Sequence, residues 1–370
     1  MRPDPWLLAL LPLAGYAVFA VLAILGLRRQ KSTPRTGEPP VSVIVVGRDE
    51  EKSLPGCLAS LERLDYPSDK LDVVLVNDRS TDATGSMMEA FALERPNVHT
   101  VHVTRRIEGF TGKTYGLIRG VDQSRGEWLF FTDADCEVPT GWIRTTLRGL
   151  DPETRIASGF LVLDRGGGKW FDRIQTLDWI SITAMGCAWA NWGRPISAFG
   201  NNLAVRRDNY VEAGGFTAVG HHLTEDFALV RNVVRLDGYS VQFVMDPGNT
   251  VYSRPARTPA DFFHQRKRWI LGSRHYGPVA LAIMATVFLT HVSIVAGLAA
   301  GRFTAAAVVF LAICVLDVAV MVKPLRLLGR LDLVRVFLPY RLYLFVYSMV
   351  MAPFFFFGRR IQWKSETYRA

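Results

Sequence analysis

Apolar and polar positions follow two different regimes along this chain. Residues 6–27 form an unbroken apolar run long enough to cross a bilayer, and Arg28, Arg29 and Lys31 follow it directly. A cleaved signal would carry its charge ahead of the apolar core, so 1–29 is expected to be a transmembrane anchor, with its start outside and the chain beyond it in the cytoplasm. The polar, proline-bearing stretch 30–40 reads as a linker. From Val41 the pattern becomes short β-branched runs alternating with helical ones. Strands are predicted at 41–46, 72–76 and 98–103, and helices at 54–64 and 87–93. Residues 127–131 are nearly all apolar and predict a strand buried on both faces. Strands alternating with helices predict an α/β domain over 41–275 with a doubly wound, mostly parallel sheet.

The pattern changes again beyond Lys169. Residues 169–192 hold Trp170, Phe171, Ile174, Leu177, Trp179, Ile180, Ile182, Trp189 and Trp192, with no charge from Trp179 to Gly193. This predicts an amphipathic helix at the headgroup level, where tryptophan is favoured, or else a buried domain helix. Residues 199–207 read as a strand entered through a polar turn, and Thr224 is placed to cap a following helix. Residues 279–300 and 303–322 are each long enough to span, joined at Gly301-Arg302. Asp317 lies inside the second run, so it is either functional or faces neighbouring helices. The basic loop 323–335 is expected in the cytoplasm. Residues 336–357 are interrupted by Pro339 and Arg341 and followed by Arg359, Arg360 and Lys364, which favours a re-entrant or interfacial segment over a full span. Residues 276–370 are thus a C-terminal membrane region with two or three helices.

Composition narrows the class. The 370 residues are 49% hydrophobic, with a net charge of +9, enough for one large domain plus apolar segments. The charge suits nucleic acid or an anionic membrane face, but no basic patch interleaved with aromatics is present, so nucleic acid is not an expected partner. The four cysteines, Cys57, Cys136, Cys187 and Cys314, include no CxxC pair and suggest neither a zinc site nor disulfides.

Candidate chemistry gathers at polar ends of predicted strands. The buried strand 127–131 runs into Asp133-Ala134-Asp135. Two carboxylates side by side repel unless a cation or proton sits between them, and hard oxygens suit Mg²⁺ or Mn²⁺ bound with phosphates. A turn capping the next helix is the plainer reading. No GxGxxG turn follows the first strand, where Gly47-Arg48-Asp49-Glu50 stands instead, so nucleotide recognition must use side chains such as Asp78. Thr111-Gly112-Lys113-Thr114 resembles the tail of a P-loop, but Ile107 occupies the position of its first glycine, which excludes an ATPase. Lys113 remains a candidate phosphate contact. Glu225 and Asp226 open a helix and need no role beyond capping, whereas Gln265, Arg268 and Trp269 share a helix face suited to an anion. Arg266 and Lys267 are expected to meet anionic lipid. His221 and His222 lack metal-ligand spacing.

Asn77-Asp78-Arg79-Ser80, Asp133-Ala134-Asp135, Thr224-Glu225-Asp226 and Gln265-Arg266-Lys267-Arg268-Trp269, in this order, resemble the motif series of family 2 membrane glycosyltransferases. That group includes ceramide glucosyltransferases and the cellulose and hyaluronan synthases. The resemblance implies a GT-A fold, a nucleoside-diphosphate sugar donor (a UDP-sugar foremost), Mg²⁺ or Mn²⁺, and inversion at the anomeric carbon. It implies that Asp78 contacts the nucleobase and Asp133 the nucleotide, with Glu50 and Lys113 beside them, and that Asp135 holds the metal. Asp226 would be the general base, and Thr224, Glu225, Gln265, Arg268 and Trp269 would hold diphosphate and acceptor. The turn Gly47-Arg48-Asp49-Glu50 departs from the Pro-x-Arg-Asn-Glu type common in that group. Few membrane segments favour a lipid acceptor over a growing polymer. The expectation is therefore an inverting lipid glycosyltransferase in the cell membrane. A polysaccharide synthase and a catalytically silent sugar-nucleotide-binding scaffold are the alternatives.

Overall fold

The computed structural model describes residues 10–28, 37–105, 107–110, 112–163, 167–236, 240–363 and 366–369. The start of the first apolar run, most of the linker, Arg29, Lys31, Thr111 and Lys364 lie outside them. In chain order the elements are α1 (Leu10–Arg28), β1 (Val41–Gly47), α2 (Leu54–Glu62), β2 (Leu71–Asp78), α3 (Thr84–Leu93), β3 (Val98–Val103), α4 (Thr114–Gln123), β4 (Trp128–Asp133), α5 (Trp142–Arg148), β5 (Thr154–Gly159), β6 (Leu161–Val162) and α6 (Trp170–Ala190). They continue with β7 (Leu203–Arg206), α7 (Arg207–Glu212), α8 (Gly215–Val219), α9 (Glu225–Val234), β8 (Ser240–Val244), β9 (Val251–Tyr252), α10 (Pro259–Gly272), α11 (Pro278–Ala299), α12 (Phe303–Leu327), α13 (Phe337–Phe357), β10 (Arg360–Trp363) and β11 (Glu366–Arg369). The chain divides into two compact units. One comprises Lys31–Gly167 and Ser197–Pro255; the other comprises Met1–Gln30, Gly168–Ile196 and Ala256–Ala370. Residues 168–196 and 256–275, assigned by pattern to the soluble domain, thus cluster with the apolar helices.

The first unit is built on a seven-stranded sheet of order β3-β2-β1-β4-β7-β5-β8. Strands β1 and β4 are buried almost throughout because helices cover both faces of a parallel sheet, which is why they read as continuous apolar runs. Strand β1 pairs in parallel with β2 and β4, with Gly47 opposite Asn77 and Val46 opposite Asp133. The loops after three strands therefore leave the sheet side by side at its carboxyl edge, where open α/β sheets bind ligands. The sheet is mixed: β7 runs antiparallel to both β4 and β5. Because Leu203 pairs with Phe131, the turn that enters β7 lies beside the end of β4.

In the second unit, α1, α11 and α12 close around Tyr16, Ile294, Ala306, Val309 and Ile313. Helices α1, α11, α12 and the stretch Leu331–Phe357 are long and apolar enough to cross a membrane. The charges inside these runs pair with one another. Asp317 accepts hydrogen bonds from Tyr16 Oη at 2.6 Å and from Arg341, whose other terminal nitrogen lies 3.2 Å from His291 Nε2. His291 Nδ1 meets Ser348 Oγ at 2.7 Å, and that hydroxyl donates to the Phe345 carbonyl. Arginine is always charged and can only donate, so His291 Nε2 accepts and Nδ1 carries the proton. One polar chain thus ties α1, α11, α12 and α13, and Asp317 faces neighbouring helices. Helix α6 is present as expected but enclosed for most of its length; Trp170, 65% exposed, is its outlying tryptophan. It packs on α1, where Asn191 Nδ2 and Trp192 Nε1 donate to the Gly26 and Leu22 carbonyls at 3.0 and 2.9 Å.

Candidate functional site

The loops at the sheet's carboxyl edge are stitched to one another by their own polar residues. Asp49, in the left-handed region at φ 53°, donates its N–H to Ser80 Oγ and accepts from Thr81 N at 2.8 Å. Glu50 N donates to Thr84 Oγ1 at 2.7 Å, and Ser53 Oγ holds the Glu50 carboxylate. The turn that departs from the Pro-x-Arg-Asn-Glu type is therefore firmly built, with its glutamate fixed. Asp78 is buried at the end of β2, and Arg79 grips both its oxygens, at 2.8 and 3.2 Å. A base reaching Asp78 would meet this pair rather than a free carboxylate.

Asp133 ends β4 and pairs with Lys113 from the turn before α4. The same ammonium lies 3.9 Å from Glu225, so one lysine bridges the end of β4 and the start of α9. Surrounding carboxylates outweigh the cost of burying that ammonium, with Asp133, Glu225 and Asp226 all raising its pKa. Asp135 is held above the usual carboxylate range, first by burial and then by the charges of Asp133 and Glu50. Within this acidic group Lys113 pairs with Asp133, and Asp135 feels the charge of both Asp133 and Glu50.

Thr224 occupies the N-cap of α9, yet its side chain makes no capping bond; its hydroxyl lies 3.3 Å from His222 Nδ1 instead. The helix-end role falls to the acids of its first turn rather than to Thr224. Asp226 is half-buried, and its two oxygens accept N–H bonds from Gly200 at 2.8 Å and Phe227 at 2.7 Å. Gly200 allows this approach: a Cβ there would sit 3.1 Å from the Cβ of Asp226. The turn carrying Gly200 is tied to β4, since Thr132 Oγ1 donates to the Asn201 carbonyl at 3.0 Å. It is anchored by buried Asn202, which accepts from Trp142 Nε1 and donates to the Phe160 and Asn249 carbonyls. Gly200, Thr132 and Asn202 escaped the sequence reading because they act through backbone groups or from beneath the site.

Gln265, Arg268 and Trp269 lie on α10 of the other unit. Helix α10 starts cleanly, with Thr258 Oγ1 accepting from Asp261 N and proline at its first position. Its inner face carries Phe262, Arg266 and Trp269. Arg266, expected at the lipid, is 1% exposed and ion-paired with Asp178 of α6 at 2.7 Å. Its guanidinium lies 4.1 Å from the Trp269 ring and 4.6 Å from that of Phe262. Burial raises the Asp178 carboxyl while Arg266 and Tyr343 lower it, so its charge depends on these partners. Trp269 also meets Trp179 edge-on at 4.8 Å. Gln265 and Arg268, one helical step round, are half-buried.

Oxygens of Asp133 and Asp135 and the sulfur of Cys136 lie within 4.8 Å of one another. Burial keeps Cys136 a thiol, and it donates to Asp135 rather than offering a thiolate. The usable donors are hard carboxylate oxygens, a set that fits Mg²⁺ or Mn²⁺ and does not suit zinc.

Set against known proteins, residues 5–370 match the model of glycosyl transferase family 21. A probable glycosyltransferase of Bacillus subtilis, YdaM, is 27% identical over 68% of this chain and 58% of its own length. A beta-monoglucosyldiacylglycerol synthase of Synechocystis sp. is 26% identical over 70% of this chain and 55% of its own. The chain thus spans little more than half the length of these relatives. Among solved structures, mannosyltransferase PcManGT from Pyrobaculum calidifontis, in complex with GDP-Man and Mn²⁺, is similar with a TM-score of 0.65 and 19% identity, over 95% of this chain and 99% of that one. That likeness bears out the GT-A fold that the resemblance implied, and the match along nearly the whole sequence bears out the resemblance read from the four motifs. The chain belongs to glycosyl transferase family 21.

Proposed function

We propose that this protein transfers a sugar, with inversion, from a nucleoside-diphosphate sugar to a hydroxyl or carboxyl of a membrane lipid. The observation that carries the reading is Asp226: a half-buried carboxylate fixed by two backbone N–H groups and linked, through Glu225 and Lys113, to Asp133. A lipid alcohol is a poor nucleophile near neutral pH. Asp226 accepts its proton as the oxygen attacks the anomeric carbon, a contribution of about 10² to 10⁴ in rate. A single base that activates the acceptor needs no carboxylate nucleophile, and one displacement gives inversion. Lys113 serves the departing diphosphate as a fixed positive charge. Asp135, with Asp133 and Glu50 near it, would hold a divalent cation, which supplies further stabilisation of that leaving group. The roles of Asp78 at the base, and of Gln265, Arg268 and Trp269 at the diphosphate and acceptor, rest on the resemblance. A UDP-sugar donor and a cytoplasmic domain at the cell membrane belong to the same proposal.

The lipid acceptor is favoured by the apolar helices and by the lipid products named for the Synechocystis relative. Purified protein incubated with a radiolabelled nucleotide sugar and membrane lipids should place label in the organic-extractable fraction, with the anomeric configuration inverted. Label confined to a water-soluble polymer would favour the synthase alternative. Nucleotide-sugar binding with no transfer by the parent would support the silent scaffold, and an Asp226→Asn variant as active as a competent parent would remove Asp226 as the base.

A further inference from the structure

We propose that α13 is a one-leaflet helix: it enters and leaves the bilayer on the side from which α11 starts, and lays one face against the acyl chains of that leaflet. Helix α13 is 21 residues long, about 31 Å, so length alone would let it cross. Its two ends argue otherwise. Helices α11 and α12 are joined by a tight turn at Gly301 and pack against each other, so the end of α12 returns to the level at which α11 begins. Lys323, near that end, binds the Leu27 carbonyl at the end of α1. Helix α13 follows α12 after a short 3-10 turn, Leu331–Val336, and therefore starts on that side. It also finishes there. Arg274, just before α11, donates to the carbonyls of Phe354, Phe355 and Gly358 at 3.0, 2.6 and 2.8 Å. It thus satisfies carbonyls that a helix end leaves without partners. Phe263 of α10 stacks on Phe354 at 5.5 Å, and Lys267 lies 5.2 Å from the same ring.

Charge supplies an independent argument. Exposed Arg335 precedes the helix, and exposed Arg359 and Arg360 follow it. Basic residues at both ends of an apolar helix favour the same, positive-inside face for both. The helix is also two-sided. Leu338, Leu342, Val346 and Val350, spaced four apart, are 46–57% exposed in a single stripe that runs on to Phe356 and Phe357. The opposite side holds Tyr340, Arg341, Tyr343 and Ser348, all bonded or packed within the protein. That stripe is the face offered to the acyl chains, and the polar side is the one turned to the protein. Tyr343 Oη donates to Asp178 at 3.3 Å, the carboxylate that also holds Arg266, so α13 fixes the depth of α10 and its Trp269 relative to headgroups. That last step, a lipid hydroxyl met at headgroup depth, rests on the transferase reading; the placement of α13 does not.

The test is sidedness and depth, read without any activity assay. Cysteines would be introduced one at a time as Gly277→Cys, Thr304→Cys and a residue added after Ala370, in a Cys314→Ser background. The open space around Gly277 and the exposure of Thr304 make both sites tolerant. With an impermeant maleimide, the added terminal cysteine should label from the same side as Gly277→Cys and the opposite side to Thr304→Cys. Spin labels at Leu342, Val346 and Val350 should report equal depth, within a few ångströms. A terminus that labels with Thr304→Cys, or a depth that passes through the midplane along α13, overturns the proposal. Loss of sugar transfer with the expected labelling pattern would count against the enzyme alone.

Discussion

At the scale of single residues, the site depends on where one carboxylate is held. Asp226 takes two backbone N–H bonds, one of them from Gly200 on a turn distant in sequence. Replacing Asp226 by asparagine keeps these contacts in part but removes the proposed base. The turnover number should fall about 10² to 10⁴-fold while nucleotide-sugar affinity, measured by calorimetry, stays within a few-fold. Gly200→Ala sets a methyl 3.1 Å from the Asp226 Cβ and must push the carboxylate aside. A displaced base of this kind should cost about tenfold to a hundredfold in kcat with little change in donor KM, as steady-state kinetics would register. Asp226 was singled out through the family resemblance, its own setting suggesting no more than a helix start. Gly200 was not, because the group it contributes is a backbone N–H common to every residue, and only the proximity of another chain segment gives it a role.

At the scale of elements, α10 shows both the reach and the limit of helical periodicity. Spacing put Gln265, Arg268 and Trp269 on one side, whereas Trp269 packs with Arg266 and Phe262 and the other two lie a step round; Arg266, expected at the lipid, is paired with Asp178 of another helix. The sign was present: Asp178 is a lone carboxylate at the edge of an uncharged stretch, and such a group needs a cation once buried. Arg266→Met should destabilise the protein by about 3–5 kcal/mol by stranding Asp178, whereas the double variant Asp178→Leu/Arg266→Met should recover most of that loss. Thermal unfolding in detergent would read both. The strands were more legible than the helices. A strand buried on both faces writes an apolar run, while the antiparallel direction of β7 leaves no mark on composition.

At the scale of the whole molecule, two sequence oddities explain one another. Asp317 and Arg341 each looked costly inside an apolar run, and they are partners. The division into two units was less legible, because 168–196 and 256–275 return to the membrane helices from either side of β7, α9 and β8. Removing divalent ions with EDTA should abolish transfer, and Mn²⁺ or Mg²⁺ should restore it. The melting temperature of the cation-free protein should hold meanwhile, since Lys113 already neutralises Asp133.

The first helix is commonly deleted from membrane enzymes to obtain a soluble catalytic fragment. Here that deletion would be costly, because Gly26 brings the α1 backbone so close to α6 that a Cβ would fall 2.4 Å from the Ala188 carbonyl. Stripped of α1, the side chains of Asn191 and Trp192 lose the Gly26 and Leu22 carbonyls and the tryptophan-rich flank of α6 is laid bare. Such a fragment should aggregate on purification, and supplying residues 1–30 as a separate polypeptide should rescue it.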